Sequence, residues 1–419
     1  MTCIRSLAAT LIGSAQFAFA AVAAAQSLTL DEALRAADAQ SPRLTAQRAL
    51  VRSADHQAAR AGELPDPKLK FGIENLPVTG EDAFRYDRDF MTMRSIGLMQ
   101  DFPNRTKREA RSARAERARD VEQAQFVSQA AMLHRDVALA WFELHFAERS
   151  RDALSALVRQ FAAHADTVAA GLARGKQGAA ESFMLRGALE QARDRVIEQE
   201  RMAARARAML EALVGGEARR PLGAPPDTSA LAHGHEALIE QLHQHPTLRV
   251  LDERESLARA EVDVAKSSRE SDWSLEVGYA IRRPNFANMM TVMVAFELPW
   301  QAERRQDRDV AAKLAEVEQA RALREDARRM HEAELRGWIA DHDAATLRAE
   351  RFRTVLLPLA RDRASASLAA YQGGRSELTP VLEANRAVTE TELALVAVEA
   401  EKARAWTNLN FQYPHEAAK

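Results

Sequence analysis

Hydrophobic positions along the chain recur with two different periods. Trp273, Leu275, Val277, Tyr279 and Ile281 alternate with Ser274, Glu276, Gly278, Ala280 and Arg282. Val292, Val294, Phe296 and Leu298 then alternate with Thr291, Met293, Ala295 and Glu297. Period two over this span predicts a pair of two-faced strands, joined by the turn-rich RPNFAN. Earlier in the chain Leu69, Phe71 and Ile73 alternate with Lys68, Lys70, Gly72 and Glu74, and the loop PVTGEDAFRYDRD leads to FMTMRSIGLMQ, which has no clean period. Each pair ends at a proline, Phe102-Pro103 and Leu298-Pro299, and the chain then becomes charged and alanine-rich.

Those charged stretches follow the helical period. No proline interrupts Asn104 to Gly171, which at ~1.5 Å per residue is a rod of about 100 Å. Within it Phe126, Ala130, Leu133, Val137, Ala140, Leu144 and Ala147 recur at spacings of four and three, a coiled-coil seam. A second rod is predicted from about Gln301 to Ala370. Both reverse at glycines, Gly175 and Gly178, then Gly373 and Gly374, where a helix can end without steric penalty.

The pattern is written twice. Glu32-Ala33-Leu34 aligns with Glu236-Ala237-Leu238, and Pro42 with Pro246, at one common offset. Gly72 and Gly278, Pro103 and Pro299, and Gly175 and Gly374 follow in the same order at similar spacing. The expected organisation is a first repeat over 26-220, with strands at about 67-102 and a helical hairpin at about 104-215. A Gly/Pro-rich linker follows over 221-234. The second repeat covers 235-413, with strands at about 272-299, a hairpin at about 301-411 and a tail over 414-419.

Composition narrows the class. Lys and Arg number 58 against 60 Asp and Glu, a net charge of −2 that gives no reason to expect nucleic acid. Aromatic residues make up only 6%, so long helices are favoured over a compact enzyme domain. Arg5, the apolar run SLAATLIGSAQFAFAAVA and Ala23-Ala24-Ala25 before Gln26 read as a signal peptide over 1-25. The single cysteine, Cys3, would leave with it, so stability must come from packing.

Four amphipathic strands have an apolar face with Trp273, Tyr279 and Phe296, suited to lipid, and a polar face suited to water. Unpaired strand edges cost several kcal/mol per polar group in hydrocarbon, and four strands are too few to close. Three copies would supply about twelve. A soluble coiled-coil envelope protein with a small strand sandwich is the alternative.

On LTLDEALRAADAQSP, on both strand-Pro-helix junctions and on YQGGRSELTPVLEANRA, the chain resembles the TolC-like outer-membrane efflux factors. Tyr371, Gly374 and Val381-Leu382-Glu383-Ala384 match the most specific stretch. The resemblance implies a mainly α chain with a small β part. Long antiparallel hairpins would form an α-barrel, and four strands per chain a trimeric transmembrane β-barrel in the outer membrane, with a long periplasmic portion. The implied partners are outer-membrane lipid, a periplasmic membrane-fusion adaptor and an inner-membrane RND-type pump. A passive conduit is expected, without cofactor. No H-E-x-x-H, G-x-S-x-G or phosphate-loop motif points to an enzyme.

Carried over by position, Tyr371, Arg375 and Glu383 are candidates for the periplasmic constriction, with Pro380 where the family often has a second acid. A ring of Glu383 carboxylates would favour cations. Gly175, Lys176, Gly178 and Glu181, with Gly373, Gly374 and Glu377, are the expected adaptor-contacting hairpin tips. The wording IENLPVTGEDAF…RDFMTMRSIGLMQDFP resembles the branch serving heavy-metal pumps, which favours copper, silver, zinc or cobalt over drugs or secreted protein. His233, His235, His243 and His245 form a histidine-rich stretch, and Met91, Met93, Met99, Met289, Met290 and Met293 lie in or beside the strands. Either set could bind metal, although strand methionines more often fill apolar surface.

Overall fold

A computed structural model describes residues 27–173, 178–231 and 234–412. The expected signal peptide, Gly175, Lys176, His233 and the tail lie outside the described residues. The first repeat runs α1 (Leu30–Gln40), α2 (Pro42–Ala61), β1 (Lys68–Glu74), β2 (Met93–Phe102), α3 (Arg105–Ala173) and α4 (Ala179–Val214). The second runs α5 (His235–Glu240), α6 (Pro246–Ser267), β3 (Trp273–Ile281), β4 (Met289–Phe296), α7 (Gln306–Arg351), α8 (Leu357–Gln372) and α9 (Leu378–Asn410).

The repeated prolines start equivalent helices. Pro42 opens α2 behind Ser41, whose Oγ accepts from Leu44 N at 3.3 Å. Pro246 opens α6 behind His245, whose ring Nδ1 accepts from Thr247 N at 3.3 Å. At the first helical turn the missing N–H would have had no partner in any case. A capping box between Thr29 and Glu32 starts α1.

The four strands form one antiparallel sheet in the order β1-β2-β3-β4. The two predicted strand pairs are therefore joined through the β2–β3 ladder, from Arg94 opposite Ile281 to Phe102 opposite Trp273. FMTMRSIGLMQ, without a clean period, is mostly strand β2. Alternation predicts the last strand as far as Leu298, but the ladder ends at Phe296. Glu297 N instead donates to Asp272 O at 2.8 Å, just before β3 begins.

The helices pack as α2 on α3, α3 on α6 and α6 on α7 nearer the sheet, then α4 on α3, α3 on α9, and α9 on α7 and α8 further away. Rods α3 and α7 run through both sets. The predicted seam is at the core: Ala130, Leu133, Val137, Ala140 and Leu144 are buried, with Phe126 and Ala147 packed beside them. The same cluster holds Leu34, Trp141, Leu210 and Val214. Trp141 Nε1 donates to Leu28 O at 3.1 Å, pinning the first described residues across α3. A smaller cluster of Leu238, Leu242, Leu248, Leu335 and Leu409, with Trp338 at its margin, packs the second repeat.

The second rod differs from the expectation in two places. It starts at Gln306 rather than Gln301, because 301–305 form a turn. It also widens into a π-helical turn over Phe352–Leu356. Pro358 follows immediately; its ring would clash with the carbonyl four residues back, and the wider turn relieves that clash without ending the helix.

Candidate functional site

Register sorts the strand side chains onto two faces. One carries Leu69, Phe71 and Ile73, then Ile96 and Leu98, then Leu275, Val277 and Tyr279, and Val292 and Val294. Most of these are exposed; Phe71 is 74% exposed and Val292 57%. Only Arg94 and Gln100 interrupt this face, and they lie towards its two ends. Phe102 and Trp273 stack at 4.2 Å at its helical end. An exposed apolar band of this size, with polar residues and aromatics towards its margins, is the surface a lipid-facing strand wall presents.

The opposite face is mostly polar or small, with Lys68, Lys70, Ser95, Gly97, Asp101, Glu276, Gly278 and Thr291, and it also carries Met93, Met99, Met289 and Met293. Lys68 Nζ lies 2.7 Å from Asp101 Oδ2. Lys70 reaches past β2 to Glu276 Oε2 at 2.6 Å. Gly97 and Gly278 stand opposite each other there, and the missing side chains leave the floor over which Lys70 crosses. Strands β1 and β4 each have a partner on one side only, so the sheet has two open edges.

The first strand-to-rod junction is fastened by a polar knot. Asn104 Oδ1 accepts from Lys107 N at 2.6 Å and caps α3 after Pro103. Asp272, just before β3, accepts from Asn104 N at 2.9 Å and from Lys107 Nζ at 2.6 Å. The equivalent junction after Pro299 has no side-chain cap, and Trp300 there is 84% exposed. Sequence pattern marks both prolines but not Asp272, whose side-chain partners Asn104 and Lys107 lie more than 160 residues away.

Ion pairs bind the helices further down. Glu255 of α6 has a side chain only 4% exposed, held by Arg259 at 2.5 Å and by Arg321 of α7 at 2.9 Å, with Arg324 3.2 Å away. Burial pushes its carboxyl upward, but hydrogen bonds from Arg321 and Arg259 and the charge of Arg324 outweigh this and hold it below the usual carboxylate range. Glu399 of α9 similarly bridges Arg149 of α3 and Arg353 of the π-turn.

At the far end the two hairpins pack together through Leu157, Phe161, Leu185, Leu378, Val381 and Leu382, with Tyr371 partly buried against them. Gly374 has φ +68, the left-handed conformation that the reversal between α8 and α9 requires. Arg375 and Glu377 are exposed there. Gly178 precedes α4 as its N-cap, and Glu181 occupies that helix's first turn, where the helix dipole favours an acid. Glu383 is exposed one turn below Arg386 on α9. The same surface of α9 meets α4, where Arg386 lies 3.4 Å from Gln191 and Glu390 3.9 Å from Arg195. Tyr371, Arg375 and Glu383 thus share one end of the molecule.

Within the histidine stretch, His243 and His245 point to different partners. His243 is exposed and donates from Nδ1 to Glu240 O at 2.8 Å, whereas His245 packs against His331 with ring centroids 4.5 Å apart. Burial, then the charges of His331 and Arg135, lower His245 to about 4. Among the described residues no group of three or more His, Cys, Asp or Glu side chains is placed to hold a metal ion. No described helix is long and apolar enough to cross a membrane.

No family model matches the chain, and no curated protein sequence does. Solved structures do. The outer-membrane channel OprN matches with a TM-score of 0.77 over 93% of this chain and 91% of its own, at 14% identity. CusC, described in terms of transmembrane channel formation, matches at 0.75 over 92% of each chain, at 16% identity. The outer membrane protein VceC from Vibrio cholerae matches at 0.74 over 93% of this chain and 96% of its own, at 17% identity. Long helices, a four-stranded antiparallel sheet and near-complete overlap with these structures give this chain the fold of the TolC-like outer-membrane channels.

Proposed function

We propose that this chain is the outer-membrane channel of a tripartite efflux system, a passive homotrimeric conduit with its sheet in the outer membrane and its rods in the periplasm. The observation that carries the reading is a sheet with one apolar and one polar face and both edges open. Such a sheet is stable in hydrocarbon only if its edges are paired. Three copies joined β4 to β1 would close about twelve strands around water, with the polar face inward.

In this reading the two repeats span 26-220 and 235-413, and 1-25 is an export signal. The hairpin tips meet a periplasmic adaptor that links the channel to an inner-membrane RND-type pump. Tyr371, Arg375 and Glu383 narrow the mouth, and heavy-metal cations are the favoured cargo. Fractionation tests the conduit: the protein should enter the outer membrane as a species that migrates as a trimer on gels and dissociates on heating. Recovery solely as a soluble periplasmic monomer refutes it.

A further inference from the structure

The chain has 12 methionines, and six lie in or beside the sheet. The strand register separates them. Met290, opposite Tyr279, faces the apolar side, where a thioether is ordinary filler. Met93, Met99, Met289 and Met293 fall on the polar face, among glycine, serine, threonine and charged residues. Lipid contact does not explain them there. Met289 is 48% exposed and Met293 55%, so in the single chain neither is packed away.

Two of the four share one level of the sheet. Lys68 pairs with Met99, Met99 with Glu276, and Glu276 with Met293, a straight row across all four strands. Neighbouring strands lie ~4.8 Å apart, so the Met99 and Met293 backbones are about 10 Å apart with Glu276 midway. A methionine side chain places its sulfur about 4 Å from its Cα, so two that lean inward can grip one ion over the carboxylate. Glu276 Oε2 is engaged by Lys70 at 2.6 Å, while Oε1 lies over the glycine floor, 3.6 Å from where a Cβ on Gly97 would be. The row lies near the helical end of the strands, at Lys68, the first residue of β1. Met289 and then Met93 follow at successive levels towards the loops.

We infer that Met99, Glu276 and Met293 form a binding site for a soft monovalent cation, Cu(I) or Ag(I), one per chain on the polar face of the sheet. Thioethers are soft donors that select such ions over Zn²⁺ or Co²⁺. The single carboxylate supplies charge, and Lys70 beside it keeps binding weak enough for release, as conduction requires. The inference rests on the polar face being a water-filled lumen, and it narrows the cargo of the proposed conduit to soft monovalent metal.

The test uses the full chain purified in detergent, with methyl-labelled methionine, titrated with silver nitrate in chloride-free buffer and followed by NMR. Met99 and Met293 methyl signals should shift together and saturate near one Ag⁺ per chain, while Met290 stays fixed and Zn²⁺ moves neither. Met99→Leu or Met293→Leu, which nearly conserve volume, should weaken binding at least tenfold; Met290→Leu should leave it unchanged. Glu276→Gln should weaken it severalfold. Equal response of Met290, or no joint shift of Met99 and Met293, overturns the site. Potassium conductance in planar bilayers separates the two claims: a conducting protein that ignores Ag⁺ removes only the site, and a non-conducting protein that binds Ag⁺ removes only the conduit.

Discussion

Glu255 offers a direct test of what holds α6 against α7. Replacing it with alanine removes two close charge-assisted hydrogen bonds, from Arg259 at 2.5 Å and Arg321 at 2.9 Å, and a third charge contact from Arg324. Hydrogen bonds to charged groups contribute about 1.5–3 kcal/mol each. Stripping one partner from a fully buried pair costs about 3–5 kcal/mol. The arginines left behind are 59%, 54% and 46% exposed, so water can solvate them and the loss should fall towards about 2–3 kcal/mol. Hydrogen exchange on the assembled protein measures this without assuming two-state unfolding: protection of α6 and of the facing stretch of α7 should drop roughly 30- to 150-fold, and α4 should not change. The carboxyl is held below its usual value of 4.5, so its contribution is full above that pH and is lost as pH falls through the depressed value. The difference between the wild type and Glu255→Gln should therefore shrink in acid. If Glu255→Ala leaves α6 protection within twofold, while Val262→Ala in the adjacent apolar cluster lowers it, desolvation has cancelled the ion pairs and the reasoning fails.

Three other outcomes follow from the geometry. Gly374→Ala should loosen the α8–α9 reversal by about 1–2 kcal/mol, since φ is +68 and a Cβ meets nothing within 4 Å, so the cost is purely conformational. Gly373→Ala should cost less, because it needs only a small shift of Arg375 Nε, 3.3 Å from the new Cβ; limited proteolysis at the tip would rank the two. His245 refuses a proton down to about pH 4 that the unfolded chain takes up near 6.5. Stability should therefore fall across that window, by at most about 3 kcal/mol, and level off below it. His245→Asn keeps a capping side chain and should flatten the profile, read as exchange protection in the first turns of α6. Glu383→Ala should lower cation selectivity in planar bilayers; an unchanged reversal potential removes Glu383 from the constriction.

Much of the fold was legible because its determinants are local. Period two in β1, β3 and β4, the α3 seam and the reversal at Gly374 each depend on residues a few positions apart. Strand β2 was obscured because methionines occupy its polar face and Arg94 and Gln100 its apolar face, which blurs the alternation. The constriction candidates Tyr371, Arg375 and Glu383 came from resemblance, and they share one end of the molecule because they flank a single reversal, between α8 and α9, rather than because any long-range packing brings them together.

From the sequence alone came two repeats of rods and short strands, an apolar face opposed to a polar one, and too few strands for one chain to close. Tertiary structure alone decided that β2 pairs with β3, which puts Met99, Glu276 and Met293 in one row and sends Lys70 to a carboxylate in the other repeat. It also decided which arginines enclose Glu255, and that His245 meets His331 rather than His243. Periodicity specifies which way a side chain faces. It does not specify the register between segments far apart in the chain, because that depends on how both repeats pack at once.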